Sequence, residues 1–203
     1  MTSSASSQCI LLASQSPRRA ALLRQLGVQF DQHPADIDER QLSDESPEDY
    51  VARLAWEKAQ AVASEHPEDR VVLAADTCVV LDGQVLGKPE DHFDALAMLA
   101  RLSGREHLVL TAVCVRRGAQ VEEALSDSRV TFLTLSRDQC EAYLKTDEPW
   151  DKAGAYGIQG LAGAFVASMT GSYSGIMGLP LAATWELLQR VRVATRLDLT
   201  SDG

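Results

Sequence analysis

The chain has 203 residues, of which 45% are hydrophobic and 24% charged, which suits one domain with a substantial core or two closely joined lobes. Its net charge of −10 argues against binding to a nucleic-acid backbone, and no apolar run approaches the roughly 20 residues that cross a bilayer. The four cysteines have no CxxC spacing, so we expect free thiols in a reducing cytoplasm. We expect one domain over 9–197, with a disordered tail at 1–8 and a C-terminal tail at 198–203.

The first segment predicts a strand followed directly by a helix. Ile10–Ala13 is an apolar run typical of a core strand, Ser16 suits a helix cap, and Pro17 suits the first helical position. Arg18 and Arg19 would then lie in the first turn, where free N–H groups and the helix dipole already favour an anion. Two cations at that end oppose the dipole, which predicts a polyphosphate ligand. Solvated surface arginines are the alternative.

Capping and turn residues define the elements that follow. The pattern predicts a helix from Ser46-Pro47 to about Ser64, a strand over Val71–Ala75, and a hairpin of Cys78–Leu81 and Gln84–Leu86 around Asp82-Gly83. A helix over Phe93–Leu102, strands near 107–117 and 127–134, and a helix from Ser136 to about Lys145 follow. The pattern ends with a glycine-rich loop over Thr146–Gly163, a strand near Ala164–Ser168 and a last helix from about Leu179. We expect an α/β protein with a mixed sheet and helices packed on it.

Lys58 lies on the apolar face of the second predicted helix. Helical spacing places it in line with the hydrophobic residues Val51, Leu54, Ala55 and Val62. A lysine in this position either extends its charged end to solvent or reaches from one wall of a cleft toward phosphate. Both interpretations are open at this point.

Two further charged residues follow predicted strands. Asp76 closes the apolar run Val71–Ala75, and a carboxylate there needs a cap, a partner or a metal ion. Asp76 is therefore a candidate magnesium ligand or general base, with a local Asx turn as the alternative. The segment Gly83–Pro89 superficially resembles a phosphate-binding loop, but its glycine spacing and Pro89 exclude that motif. Lys88 is kept as a cation at the end of the hairpin.

The loop Glu148–Gly160 combines three glycines with charged residues and the amide of Gln159. Glycines allow a flat ligand to approach the backbone closely. The Gln159 amide has both a donor and an acceptor, so it can read the edge of a nucleobase. A flexible surface loop is the alternative.

Six ordered blocks together resemble the Maf family of nucleoside triphosphate pyrophosphatases, also described as septum-formation inhibitors. The blocks are Leu12–Arg19, Tyr50–Ala59, Ala74–Thr77, Asp82–Pro89, Glu148–Gly160 and Gly171–Leu181. The resemblance implies an α/β fold with a long bent mixed sheet and two lobes around a cleft, as in inosine-triphosphate pyrophosphatases. It also implies cleavage between the α- and β-phosphates, a divalent cation (Mg²⁺, Mn²⁺ or Co²⁺), a homodimer, a role in nucleotide-pool housekeeping and a link to cell division.

The resemblance assigns roles to particular residues. The acidic catalytic position of the family falls on Asp76. Our expected mechanism lets Asp76 hold the cation or take the proton from water, with Glu39 of the acidic loop as a second metal ligand. The expected phosphate-binding residues are Ser14, Ser16, Arg19, Lys58 and Lys88. The positions that separate the branches of the family correspond to Arg18, Thr77 and Gln159, and they match the branch selective for dTTP and UTP rather than 7-methyl-GTP.

The expected reaction is metal-assisted attack of water on dTTP, UTP and modified pyrimidine nucleotides. Two alternatives remain, a regulator that binds nucleotide without cleaving it and a phosphatase that releases orthophosphate. The reaction products distinguish all three.

Overall fold

A computed structural model describes residues 9–198. The strands in this range are β1 Ile10–Leu12, β2 Phe30–Gln32, β3 Val71–Leu81, β4 Gln84–Leu86, β5 Glu106–Arg117, β6 Gln120–Phe132 and β7 Val166–Thr170. The helices are α1 Pro17–Gln25, α2 Pro47–Ser64, α3 His92–Leu102, α4 Arg137–Leu144, α5 Tyr173–Ile176 and α6 Leu181–Arg190, with 3₁₀ turns at Ala153–Ala155, Leu161–Phe165 and Arg196–Asp198. The predicted tails lie outside the described residues, except for Asp198, which accepts hydrogen bonds from Thr195.

The sheet confirms the expected mixed α/β architecture. Its strand order is β2-β1-β3-β5-β6-β7, and β4 pairs with β3 beside this path. The short strand β1 runs parallel to β2 and β3, whereas the remaining pairs are antiparallel. The predicted Asp82-Gly83 turn joins β3 to β4, and both residues adopt the positive φ that tight hairpin turns require.

The strand β3 corrects the sequence prediction. We expected one strand to end before Asp76 and a separate hairpin strand to begin at Cys78, but Val71–Leu81 is one strand of 11 residues. Asp76 and Thr77 point to opposite faces of the sheet, and each finds a polar partner there. Because both polar side chains are satisfied, the strand passes through them without a break.

Other boundaries also differ from the prediction. The strand β6 begins at Gln120 rather than near 127. The sequence did not reveal its first half, because none of those residues is buried and the acidic residues hide the apolar alternation. The expected loop over Thr146–Gly163 contains a 3₁₀ turn, and a second one begins at Leu161. The short elements β2 and α5 were not predicted.

The pairing of β3 leaves part of one edge open. Its β5 edge is paired along Val71–Val80. On the opposite edge, β1 pairs only with Val72 and Leu73, and β4 pairs only with Val79–Leu81. Within the part of the chain that the structure describes, the segment Ala74–Cys78 therefore has no strand beside it on that edge, although it is in the middle of the sheet.

Three hydrophobic clusters surround this gap. The first packs α1 and α6 against one face of β3 near Leu73, and the second packs α2 against the opposite face near Ala74. The third joins α3, α4 and the segment around Tyr156 to the far end of β3 at Val79 and Leu81. The strand β3 thus runs from one packed region to another, which matches the expected pair of lobes.

Helix capping follows the sequence closely. The side chains of Ser16, Ser46 and Ser136 each accept a hydrogen bond from a backbone N–H in the first turn of α1, α2 and α4. All four cysteines are free thiols, as predicted. Within 9–198, no helix is both long enough and apolar enough to cross a membrane.

Candidate active site

A cleft of about 710 Å³ lies at the open edge of β3. It is large enough for a nucleotide-sized ligand. Its walls come from the β1–α1 junction, the loop before α2, the β4–α3 loop and the segment that follows α4. Every residue predicted for the site lines this cleft: Ser14, Ser16, Arg18, Arg19, Glu39, Lys58, Asp76, Thr77, Lys88 and Gln159.

Lys58 and two carboxylates form the buried centre of the cleft. The Nζ atom of Lys58 is 2.6 Å from Oδ1 of Asp76 and 2.7 Å from Oε1 of Glu39. The side chains of Lys58 and Asp76 are only 9% and 11% exposed. The interpretation of Lys58 as a solvent-extended surface lysine is therefore wrong, and so is that of Asp76 as a local turn cap. We name Lys58, Asp76 and Glu39 the charged triad.

Glu39 reaches the triad from the acidic loop before α2. Burial alone would raise the pKa of Glu39, but the hydrogen bond from Lys58 and the charges of Lys58, Lys88 and Arg19 hold it below its ordinary value. The hydroxyl of Tyr50 donates to the Glu39 carbonyl over 3.0 Å and fixes the loop to α2. Glu39 is therefore a carboxylate at neutral pH, and its backbone position is set by Tyr50.

Arg19 is held by neutral groups. Its Nε donates to the Gly178 carbonyl over 2.8 Å, Nη2 donates to Oγ1 of Thr77 over 3.2 Å, and Nη1 is 3.5 Å from Oγ of Ser14. Burial and then the nearby Arg18 charge lower the pKa of the Arg19 guanidinium, despite the opposing effect of Asp76. The guanidinium is thus partly desolvated, and no carboxylate of the described residues contacts it, which favours binding of an anion.

Thr77 belongs to a chain of hydrogen bonds behind Arg19. Thr111 donates its hydroxyl hydrogen to the Gly175 carbonyl over 2.8 Å, so its oxygen accepts from Thr77 over 2.9 Å. The Thr77 oxygen then accepts from Arg19. Thr77 therefore orients the Arg19 guanidinium, while its predicted part in base selectivity stays a prediction.

The two predicted serines have different surroundings. The oxygen of Ser14 accepts from the Ser16 backbone N–H over 3.1 Å, and its hydroxyl hydrogen has no acceptor among residues 9–198. This hydrogen is available to a phosphate oxygen. The hydroxyl of Ser16 caps α1 by accepting from the Arg19 backbone over 3.3 Å. Ser16 therefore shapes the site through the helix start, whether or not it also touches ligand.

Arg18 spans the mouth of the cleft. Its Nη1 is 2.8 Å from Oδ2 of Asp151, a residue 133 positions further along the chain. Asp151 also contacts the Lys152 ammonium. Desolvation would raise the pKa of Asp151, but the hydrogen bonds from Lys152 and Arg18 hold it below its ordinary value. The ion pair joins α1 to the segment that carries Gln159.

Lys88 and Gln159 are exposed side chains at the cleft. Within the described part of the chain, neither makes a hydrogen bond or ion pair at contact distance. The Gly87 carbonyl accepts from the Gly154 N–H over 2.9 Å, which ties the Lys88 loop to the segment containing Gln159. One free ammonium and one free amide are therefore available to a ligand.

The charge of the cleft is opposite to that of the protein. Five cationic side chains and four acidic ones line it, in a chain with a net charge of −10. Lys58 and Arg18 are neutralised by carboxylates, whereas Arg19 and Lys88 form no ion pair with any residue of 9–198. The uncompensated positive charge beside a buried carboxylate suits a ligand that carries several phosphates.

The sequence did not single out Tyr50, Thr111, Asp151 or Lys152. Tyr50 lies eight residues before Lys58 on the same helix, so helical spacing could have placed both on one face. Thr111 lies on β5 directly opposite Thr77, a pairing that only the observed register reveals. Asp151 and Lys152 lie in the recognised Glu148–Gly160 segment, but no local signal identifies their partners.

Fold and site together define an α/β protein with a cleft of net positive charge at a gap in a mixed sheet. The chain belongs to the Maf family, because the model described as Maf-like protein matches residues 9–191. It is 55% identical over 186 residues to the dTTP/UTP pyrophosphatase of Methylobacillus flagellatus, covering 91% of this chain and 94% of that protein. It is 49% identical over 179 residues to the dTTP/UTP pyrophosphatase of Escherichia coli K12, covering 88% and 91%.

Among solved structures, the chain is similar to a nucleoside-triphosphatase, also named dITP/XTP pyrophosphatase, from Mycobacterium abscessus. The TM-score is 0.41 and the identity 16%, over 63% of this chain and 76% of that one.

Proposed function

We propose that this protein hydrolyses dTTP and UTP between the α- and β-phosphates, releasing the nucleoside monophosphate and pyrophosphate. The observation that carries the proposal is the meeting, in one cleft, of two uncompensated cations with the charged triad. The relatives from M. flagellatus and E. coli support the choice of substrates, because both are named dTTP/UTP pyrophosphatases.

The triphosphate contacts Arg19, Lys88 and the hydroxyl of Ser14. Arg19 is fixed by three neutral partners before any ligand enters, so little ordering is required when phosphate binds. Lys88 approaches from the opposite lobe and is free to move to the phosphate chain. Arg18 contributes its charge when phosphate competes with Asp151.

The triad fits a divalent cation of the magnesium type. Its carboxylates already converge on one positive group, the Lys58 ammonium, and they supply only hard oxygen ligands. Magnesium is commonly held by one or two carboxylates together with substrate phosphates. No cluster of three or more His, Cys, Asp or Glu suited to a metal occurs within 9–198, so phosphate oxygens would have to complete the coordination. Asp76 and Glu39 would hold the ion, which would supply charge stabilisation of the leaving pyrophosphate.

Asp76 is the proposed catalytic residue. It is held beside Lys58 at the cleft, where it accepts a proton from the attacking water or holds the cation. Gln159 offers an amide donor and acceptor to the imide edge of uracil or thymine. Localisation in the cytoplasm, dimerisation and a link to cell division stay predictions from the sequence.

The test is the product pattern of the purified protein with dTTP, UTP, CTP and GTP, each with Mg²⁺, Mn²⁺ or Co²⁺. The proposal expects dTMP or UMP in equal amount to pyrophosphate, with CTP and GTP much poorer substrates. Formation of UDP and orthophosphate from UTP would identify a phosphatase, and binding without any product would identify a regulator.

A further inference from the structure

Gln159 projects from a tight turn whose two ends are fixed. The Gly160 N–H donates to the Gly157 carbonyl over 3.0 Å, which closes the turn around Ile158 and Gln159. The Gln159 side chain itself makes no hydrogen bond with the described residues. Its position in the cleft therefore depends on what holds the backbone of the turn.

One carboxylate holds the end of this turn. Glu148 accepts from the Leu161 N–H at Oε2 over 2.8 Å and from the Ala162 N–H at Oε1 over 3.3 Å. These N–H groups begin the 3₁₀ turn Leu161–Phe165, whose cap position is Gly160, a residue with no side chain to satisfy them. Glu148 thus provides, from the start of the Glu148–Gly160 loop, the cap that Gly160 lacks.

The start of the turn is connected to the same carboxylate. The Tyr143 hydroxyl donates to Oε1 of Glu148 over 3.0 Å and accepts from the Gly157 N–H over 3.3 Å. Tyr143 is buried at the end of α4, so it fixes this arrangement to the hydrophobic cluster that α3 and α4 share. Both ends of the turn are therefore connected to Glu148.

The fit around Glu148 also requires the glycines of the turn. A Cβ atom at Gly160 would lie 2.3 Å from Oε2 of Glu148, and one at Gly157 would lie 2.8 Å from Cε of Lys152. The Lys152 ammonium donates to the Glu148 backbone carbonyl. The carboxylate packs directly against the backbone that carries Gln159, so a displacement of one moves the other.

We propose that Glu148 is the positioning residue for base recognition, an inference that rests on the proposed function and extends it. Among the described residues that line the cleft, Glu148 is absent, and its side chain bonds to Tyr143, Leu161 and Ala162 rather than to the charged triad. It acts through the turn, by presenting the Gln159 amide to the uracil or thymine edge. Its loss should therefore weaken recognition of the base and leave recognition of the phosphates intact.

The test uses Glu148→Gln, with Asp147→Asn as the matched control. Both remove one negative charge from adjacent positions, but the Asp147 side chain is exposed and outside the site. The glutamine amide nitrogen cannot accept a hydrogen bond, so at least one of the three bonds to the carboxylate is lost. The measurements are KM and kcat for UTP and dTTP and the inhibition constant of inorganic tripolyphosphate, a competitor without a base.

For Glu148→Gln we expect KM for UTP and dTTP to rise about tenfold or more, while the tripolyphosphate inhibition constant changes less than about twofold. In a Gln159→Ala background, the same substitution should add little further change to KM, because the two residues act as one unit. Three results would each overturn the proposal. Tripolyphosphate inhibition could weaken as much as KM for UTP rises, the effect could add fully to that of Gln159→Ala, or the kinetics could match those of Asp147→Asn.

A second variant keeps the proposal testable if the first does not fold. If Glu148→Gln does not yield folded protein, Tyr143→Phe keeps the buried ring, removes only the hydroxyl between Glu148 and Gly157, and should shift KM in the same direction. If the wild-type protein releases no pyrophosphate from UTP, the proposed function fails separately. The same variants are then compared by calorimetric affinity for UTP and tripolyphosphate, and the same selective loss is expected.

Discussion

Replacing Lys58 by Met tests whether the charged triad is a single electrostatic unit. At 2.6 Å and an effective dielectric constant of about 20, Lys58 and Asp76 attract each other by about 6 kcal/mol, part of which offsets the desolvation of two buried charges. Without the ammonium, the carboxylates of Asp76 and Glu39 face each other with no cation between them. Breaking a buried pair from one side costs about 3–5 kcal/mol, and we expect that loss in the free energy of unfolding.

Asp76→Asn should be much milder. The asparagine oxygen still accepts from Lys58, and Glu39 still neutralises the ammonium at 2.7 Å, so the expected loss is about 1 kcal/mol. The double variant Lys58→Met with Asp76→Asn removes one of the two opposed carboxylates. It should therefore be more stable than Lys58→Met alone by about 2 kcal/mol.

The assay is urea unfolding at pH 7.5 of the wild type, both single variants and the double variant. Lys145→Met is the matched control, since Lys145 is an exposed lysine at the end of α4, and its loss should change stability by less than about 0.5 kcal/mol. If Lys58→Met loses less than about 1 kcal/mol, or if the single effects simply add in the double variant, the three charges do not act as one electrostatic unit.

Three further predictions concern specificity, pH and metal. Gln159→Glu should lower kcat/KM for UTP and dTTP about tenfold or more in pyrophosphate-release assays, and unchanged values would exclude base reading by this amide. Burial lowers the pKa of His107 from 6.5 to about 4, so stability present above pH 6.5 is lost as pH falls toward 4. Urea unfolding gives the free energy of unfolding at pH 7.5 and at pH 5. Between these pH values, His107→Gln should lose about 2 kcal/mol less of this free energy than the wild type, and equal losses would contradict the prediction. EDTA should abolish pyrophosphate release and excess Mg²⁺ should restore it, whereas full activity in EDTA would remove the cation from the account.

Local chemistry explains the parts of the fold that the sequence predicted well. Three helix starts could be predicted from the capping serines Ser16, Ser46 and Ser136, because each cap joins residues only three positions apart. Lys58 stood out because a charge on an apolar helix face has few stable environments. These signals are readable within a single turn of helix.

The remaining features depend on contacts between distant segments. The continuity of β3 through Asp76 could not be read locally, since it depends on Lys58 and Thr111 reaching opposite faces of the strand. The Arg18–Asp151 pair joins residues 133 positions apart, and nothing near Arg18 identifies its partner. The open edge of β3 arises because β1 and β4 are both short, so the cleft is a property of strand pairing rather than of any one motif.

The most direct test of the account compares Asp76→Asn with the wild type for pyrophosphate release from UTP and for tripolyphosphate affinity. If the cleft binds phosphates through Arg19 and Lys88 and Asp76 acts in the cleavage step, Asp76→Asn should lower kcat by at least about 100-fold and preserve the affinity for tripolyphosphate. Undiminished pyrophosphate release from this variant would contradict the assignment of Asp76 to the chemistry.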